Sequence, residues 1–279
     1  DIRFKNIMIQ TCKNVNFYNM LYGHREEKYK ILNLSDFPFQ TRKNIQQEKN
    51  NLLNNIYKKF PYNTRILIKH SFGEEGIPLD VYWDYNDNIS AESKIWEYRQ
   101  AQYGITSNDK CCLFCTAKYE GNKIQDYMSQ KLIRDKTTMS IPMCKVTQYS
   151  LGKYINDIYD FAPVWMRMPP SIAIMLGEFM KENNCRAIPS LKYIELTGEL
   201  LDEKIETHIR NSFNVYLANI YYSKVFGPIA TSCRFGKLHI ITDNVMIEVI
   251  KDGKSVMNEE GDIYITSLQN RAMPLIRIG

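Results

Sequence analysis

Pro169-Pro-Ser-Ile-Ala-Ile-Met-Leu-Gly-Glu-Phe-Met180, then Lys192-Tyr-Ile-Glu-Leu196, then Val215-Tyr-Leu-Ala218: these three stretches decide the fold class. Two prolines and Ser171 open the first, and Ile172, Met175, Leu176, Phe179 and Met180 recur at the spacing of one apolar helix face. The second reads as a strand that stops at Thr197-Gly198-Glu199. Asp202 has the side chain of a helix cap, with Ile205, Ile209 and Phe213 on the inner side of the helix it starts. The third stretch is a strand again. Strand and helix in alternation predict an α/β fold with largely parallel pairing and flanking helices.

Toward the C-terminus the pattern changes. After Gly227 only strands and turns are predicted: Leu238 to Ile241, Val245 to Ile250, the Asp252-Gly253 turn, and Asp262 to Thr266. They imply a smaller antiparallel sheet. Residues 1–227 are thus expected to form an α/β core, and 228–279 an antiparallel β subdomain of the same large domain. Toward the N-terminus, Ser129 to Phe161 carries both helix and strand signals, Lys110 to Thr116 reads as a short buried strand, and Glu92 to Tyr103 as a helix. The first 60 residues are polar and mostly helical, with a turn at Leu34-Ser-Asp-Phe-Pro-Phe-Gln-Thr41. No internal repeat, low-complexity tract or long linker interrupts the chain.

Between Arg65-Ile-Leu-Ile-Lys69 and Leu79-Asp-Val-Tyr-Trp83 lies Ser71-Phe72-Gly73-Glu74-Glu75-Gly76-Ile77-Pro78. Glycines at this spacing let backbone N–H groups converge on an anion, and hydroxyls beside them add neutral donors. Two carboxylates stand here instead. A carboxylate about 5 Å from a phosphate oxygen repels it by roughly 3 kcal/mol at an effective dielectric near 20, unless a cation intervenes. Both flanks are strands, whereas the nucleotide loops of P-loop and dinucleotide-binding proteins open into a helix. A strand–loop–strand unit is therefore expected, and by itself it reads first as a plain hairpin.

The 279 residues, 44% hydrophobic and 12% aromatic, suffice for one large core or two unequal ones. A net charge of +5 from 36 basic and 31 acidic residues leaves no long Lys/Arg run, which argues against nucleic acid as a partner. No apolar stretch reaches the roughly 18 residues of a membrane span, and the N-terminus has no signal-peptide pattern. A cytoplasmic chain with no membrane partner is expected. Seven cysteines, an odd number, fit reduced thiols.

Other candidates carry weaker signals. Cys112-x-x-Cys115 has a zinc or redox spacing, but strand alternation sends the two thiols to opposite faces, so buried structural thiols are expected. Cys233 and His239 read as half of a metal site or as a core thiol beside a strand histidine. His70 adjoins the loop and either contacts a bound anion or ends a strand. Trp83, Trp96 and Trp165 line a pocket or fill the core. Asp202, Glu203 and Glu206 suit a helix cap and a solvated face. No Ser-His-Asp pattern supports hydrolysis.

Read end to end, the chain resembles the large N-terminal domain of adenylate-forming enzymes, specifically the branch of phenylacetate-coenzyme A ligase and capsule biosynthesis. The resemblance is carried by Asn16-Phe17-Tyr18, Leu34-Ser-Asp-Phe-Pro38 and Thr41-Arg-Lys43, by the loop Ser71 to Pro78, and by Gly198-Glu199. It continues through Gly236-Lys-Leu-His-Ile240, Asp243, Val249-Ile250, Asp252-Gly253-Lys254, Glu260-Gly261 and Thr266-Ser-Leu-Gln-Asn-Arg-Ala-Met-Pro-Leu-Ile-Arg277.

The resemblance implies an AMP-forming ligase that joins a carboxylic acid to ATP and passes the acyl group to a thiol, usually coenzyme A. It implies a phosphate-loop position at Ser71, Phe72, Gly73, Glu74, Glu75 and Gly76. Gly198 and Glu199 would lie beside the adenine, followed by Tyr221, Tyr222, Ser223 and Lys224, with Tyr221 stacking on it. Val225 stands where the Mg²⁺-binding glutamate belongs, and an isopropyl group offers no oxygen to Mg²⁺. The family's C-terminal lid, with its lysine, and its ribose-binding aspartate are expected to lie beyond this chain.

Three readings follow. One is an acyl- or aryl-acid ligase with altered phosphate and metal handling, in which Lys224 meets a phosphate or offsets Glu74 or Glu75. Another is a catalytically degraded relative that keeps the fold as a binding or partner-interaction module, including as a homodimer. A thiol or metal protein built on Cys112, Cys115 and Cys233 is a third.

Overall fold

The computed structural model describes residues 2–23, 33–58, 66–72, 78–115, 133–134, 136–143 and 146–279. They fall into two units, the first made of Asp1–Ile95, Ser223–Ile229 and Ile240–Gly279, the second of Trp96–Tyr222 and Ala230–His239.

The first unit opens with helices Ile2–Asn14 and Asn16–Tyr22. The turn expected before Thr41 is present: Asp36 accepts from the Asn33 N–H at 2.7 Å, and Phe37 is buried. Thr41 then caps the helix Arg42–Gln47 by accepting from the Asn44 N–H. Strands β1 (Ile66–Phe72) and β2 (Pro78–Asp84) pair antiparallel in unbroken register from Ile66↔Asp84 to Phe72↔Pro78. This is the strand–loop–strand geometry read from the sequence. Gly73, Glu74, Glu75, Gly76 and Ile77 of the loop lie outside the described residues.

The next helix, Tyr85–Tyr103, starts seven residues before the expected Glu92. Its start signal is Asp84. That carboxylate accepts from the N–H groups of Asn86 and Asp87 at 2.8 and 3.2 Å, satisfying donors that a helix N-terminus leaves open.

The second unit is an α/β layer. The sheet's strands are β3 (Cys111–Cys115), β4 (Ile133–Arg134), β5 (Thr138–Pro142), β6 (Trp165–Met168), β7 (Tyr193–Thr197), β8 (Tyr216–Ser223), β9 (Gly227–Ser232) and β10 (Leu238–Ile240), in the order β10-β9-β8-β7-β6-β3-β5-β4, with Ser223, residues 227–229 and Ile240 counted in the first unit. β8, β7, β6, β3 and β5 are parallel, and β4 is antiparallel to β5.

Helices Gln148–Phe161, Pro170–Glu182 and Glu203–Phe213 pack on one face, where Leu151, Ile158, Leu176 and Ile209 meet Cys112, Met166 and Ile194. The face carries the residues that the 3.6 periodicity selected. Gly177 permits the close approach of two of these helices, because a Cβ there would lie 2.7 Å from the Cβ of Ser212. Asp202 caps the last by accepting from the Ile205 N–H at 2.8 Å.

The opposite face gathers Ile105, Cys111, Trp165, Tyr193 and Ala218, flanked by Trp96 and Tyr103. Glu195, fully buried on β7, accepts from Arg99, from the Arg167 Nε at 2.8 Å and from the Tyr193 hydroxyl at 3.0 Å. The Arg99 guanidinium lies over the Trp96 ring, 4.2 Å from its centroid. Burial alone would push this carboxyl up, but the two guanidiniums outweigh it and bring its pKa down to about 2.

Past β9 the outcome differs from expectation. Leu238–Ile240 was expected in the smaller sheet, yet it forms the edge of the large one. All six residues of β9 are buried, so this strand belongs inside a sheet and needs a neighbour on each side. The smaller sheet is β12-β11-β13, with β11 (Val245–Lys251), β12 (Lys254–Ser255) and β13 (Asp262–Ser267) antiparallel. Asp252 and Gly253, with φ of 51° and 75°, form the hairpin turn that their dipeptide predicts.

The end of the chain closes the first unit. Ile278 bridges both Gln40 and Ile265. Tyr18, fully buried, donates to the Pro274 carbonyl at 3.2 Å and accepts from Gln40 and from the Ile276 N–H. Arg277 pairs with Glu248, donates to the Phe37 carbonyl at 2.8 Å, and lies 3.8 Å from the Phe39 ring centroid. Asn244 reaches the carbonyls of Ala91 and Pro228 at 3.1 and 3.0 Å, joining all three segments of this unit.

Candidate functional site

Parallel pairing of β7 with β8, with Thr197 opposite Ile220, brings Gly198 and Glu199 to the same sheet edge as Tyr221 and Tyr222. This is the carboxyl edge of the strands, where open α/β sheets bind ligands. The Thr197 hydroxyl donates to the Ile220 carbonyl at 2.9 Å and locks the two strand ends together. Gly198 has φ of 88°, a conformation a side chain resists, and the space around it is open. Glu199 is held rather than free: it accepts from the Ser171 N–H at 2.9 Å and the Ser171 hydroxyl at 2.6 Å, in the first turn of helix Pro170–Glu182. A carboxylate suits that end of a helix dipole. Tyr221 exposes its ring, the property a stacking platform requires.

The candidates of the phosphate-loop position, with Ser223, Lys224 and Val225, belong to the first unit. Ser71 and Phe72 end β1, and the Arg42 guanidinium donates to the Ser71 carbonyl. Asp80, on β2 opposite His70, accepts from the Lys49 Nζ at 2.6 Å and lies 2.6 Å from the His70 Nδ1. The Lys49 hydrogen bond, with that of His70, holds the Asp80 carboxyl below the usual range against the effect of burial. His70 therefore braces the hairpin through Asp80.

Lys69 lies 4.6 Å from the Trp83 ring centroid, and burial pulls its ammonium down. Glu92 opposes that shift and the charge of Lys224 adds to it. The base of the hairpin and the turn after β8 are thus within electrostatic reach of each other. Lys224 is exposed, whereas Val225 and Phe226 are buried, each 6% exposed. The Val225 N–H donates to the Ser223 hydroxyl at 3.1 Å. Among the described residues no group of three or more His, Cys, Asp or Glu side chains could hold a metal ion. A buried isopropyl group at this turn does not fit Mg²⁺.

Arg42, Lys49, Lys69 and Asp80 were missed as site residues in the sequence. Alternation does place Lys69 on the same strand face as Ser71, and that was the available signal. A cavity of about 880 Å³ in the first unit, walled by Asn6, Gln10, Asn54, Asp87, Gln269 and Arg271, contains none of the candidates.

The cysteine readings separate. Cys112 is fully buried and Cys115 exposed, and both are free thiols. Burial pushes the Cys112 thiol well up. Cys233 and His239 are brought together across the β9–β10 hairpin, and the His239 ring stands 6.2 Å from that of Tyr98.

No family model matches the sequence, and neither does any curated protein. Solved structures do. An open conformation of 2-hydroxyisobutyryl-CoA ligase, in complex with 2-HIB-AMP and CoA, matches with a TM-score of 0.73 at 13% identity, covering 99% of this chain and 66% of that one. A long-chain-fatty-acid-CoA ligase from Archaeoglobus fulgidus matches at 0.53 and 11% identity, over 73% of this chain and 42% of that one. The anthranilate CoA ligase AuaEII, in complex with anthranoyl-AMP, matches at 0.53 and 14% identity, over 74% and 40%. The chain thus spans just under two thirds of the first of these ligases. Its fold is the mixed α/β fold expected for the large N-terminal domain of adenylate-forming enzymes.

Proposed function

We propose that this chain is the acid- and nucleotide-binding part of an AMP-forming acyl- or aryl-acid ligase, of the branch that includes phenylacetate-coenzyme A ligase. Its reaction would convert a carboxylic acid and ATP to an acyl-adenylate, then to a thioester of coenzyme A or another thiol. The observation that carries this reading is the shared fold over 99% of the chain, with Gly198, Glu199 and Tyr221 at the carboxyl edge of two adjacent parallel strands. In this reading Tyr221 stacks on adenine. Glu199 holds the strand end in place through Ser171.

A second reading is favoured by the buried Val225: a relative that binds AMP-like ligands but has lost adenylation. Acid-dependent exchange of pyrophosphate into ATP, measured over a panel of aliphatic and aromatic acids, separates the two. Exchange with any acid supports the ligase. Thermal stabilisation by AMP without exchange supports the second reading. Absence of both overturns the nucleotide site.

A further inference from the structure

The cavity of about 880 Å³ in the first unit lies away from the glycine loop. β2 leaves the loop end of its hairpin at Pro78 and finishes at Asp84, and the cavity begins just beyond, at Asn86 and Asp87. Its size is near the upper end of the roughly 300–1,000 Å³ of small-molecule pockets. One part of the lining is the helix Ile2–Asn14, where Asn6, Ile7, Gln10 and Thr11 fall at the spacing of a single face. The rest comes mainly from the start of helix Tyr85–Tyr103 and from Leu268 to Arg271.

The polar groups of this lining are short of partners. Thr11 is only 4% exposed, yet its hydroxyl makes no hydrogen bond to any described residue. A buried hydroxyl is costly in that state unless something within the cavity meets it. The exposed side chains of Asn6, Asn86 and Ser90 also make none among the described residues. Gln10 engages only its Oε1, which accepts from the Asn14 amide at 3.1 Å, so its own amide protons face outward unused.

The charges of the lining, by contrast, are balanced. Asp87, 5% exposed, accepts from the Arg271 N–H at 2.9 Å and from the Arg271 Nε at 2.8 Å, and Asn54 donates to the Arg271 carbonyl at 3.0 Å. The guanidinium is thereby fixed while its side chain stays 68% exposed. Asp84 and Asp87 already meet the positive end of helix Tyr85–Tyr103, so a further anion is repelled, and a cation would meet Arg271. An uncharged ligand is what remains. Carboxamide side chains pair with an edge that carries a donor beside an acceptor, and an exposed guanidinium stacks on a planar ring. Ile7, Leu268 and Pro274 supply apolar contact for such a ring.

We propose that this cavity is a ligand site of its own, for an uncharged heteroaromatic amide, the chemistry shared by nicotinamide and by the lactam edge of pyrimidine bases, with the Thr11 hydroxyl as its buried polar contact. The site stands whether or not the chain adenylates an acid.

Titrating the full chain with nicotinamide, uracil and the charged isostere nicotinate, followed by saturation-transfer NMR, tests this assignment. Saturable binding of nicotinamide or uracil is expected, the tighter of the two naming the source, with nicotinate about tenfold weaker. Thr11→Val keeps the shape and removes the hydroxyl. It should weaken the bound amide about tenfold while the melting temperature holds or rises, because no bond within the protein is lost. Asn6→Ala, at an exposed helix position, should weaken binding by a smaller factor. AMP affinity should be the same in Thr11→Val, which keeps this outcome separate from that of the nucleotide site. No saturation by either amide, nicotinate binding as well as nicotinamide, displacement of the amide by AMP, or a Thr11→Val chain with unchanged affinity or a lowered melting temperature would overturn the assignment.

Discussion

The two units of this chain are held together by opposite strategies. The second is drawn mostly from one continuous stretch, and its strands pair with neighbours one helix away in sequence. The first is assembled from three separate stretches, closed by bonds such as Tyr18 to Pro274 that span 256 positions. Each unit has a buried guanidinium–carboxylate centre, Arg99–Glu195–Arg167 in one and Arg277–Glu248 in the other. In the second unit the centre lies within the sheet. In the first it is a clasp between distant segments, which makes stability there depend on a few long-range polar bonds.

Removing the centre of the sheet tests the contrast most severely. Glu195→Ala leaves Arg99, only 3% exposed, without its carboxylate, and a loss of about 3–5 kcal/mol is expected in urea denaturation. A loss under 1 kcal/mol would show that solvent reaches the cluster. The same residue sets a pH dependence. Because its folded pKa is depressed to about 2 from an ordinary value of 4.5, its contribution is full above pH 4.5 and disappears as pH falls toward 2. Glu195→Gln should flatten stability across that window, and an unchanged acid limb would refute the linkage.

The clasp of the first unit is expected to yield a smaller loss. Tyr18→Phe strands Gln40 and the Ile276 N–H without their acceptor, at a cost of about 1–3 kcal/mol in the same measurement. At the carboxyl edge, Tyr221→Ala removes the exposed ring, and AMP affinity by calorimetry should fall about tenfold, in line with about 1–3 kcal/mol per stacked base. Equal affinity would remove Tyr221 from the proposed site. The smallest effect is expected at a local feature of the second unit. Asp202→Ala forfeits one cap, worth about 1 kcal/mol in thermal unfolding.

The same contrast explains what could be read from residues alone. In the second unit the apolar spacing of Ile172, Leu176 and Met180, the stop at Gly198 and the cap at Asp202 are local signals, and each matches the structure. In the first unit the decisive facts are pairings between distant positions, and no periodicity announces that Arg277 will meet Phe37 or that Asn244 will join Ala91 to Pro228. β10 was misallotted for a related reason: three residues carry too little pattern to say which sheet they extend. The candidate site divides likewise. Strand–helix alternation predicts that the strands before Gly198 and through Tyr216 run parallel, but the register that sets Gly198 beside Tyr221, on a strand that runs on to Ser223 rather than ending near Ala218, carries no local signal. The bracing of Asp80 by Lys49 and His70 depends on a helix 31 residues upstream and carries none either.

Ile278, seated between Gln40 and Ile265, has a consequence for how the protein is made. A ribosome synthesising this chain finishes the whole parallel sheet before it reaches the residues that seal the first unit. For that interval Tyr18, already outside the tunnel, lacks the Pro274 carbonyl and the Ile276 N–H. Nascent chains stalled before residue 274 should be cut by protease within residues 1–58 while the segment from Trp96 to Tyr222 resists.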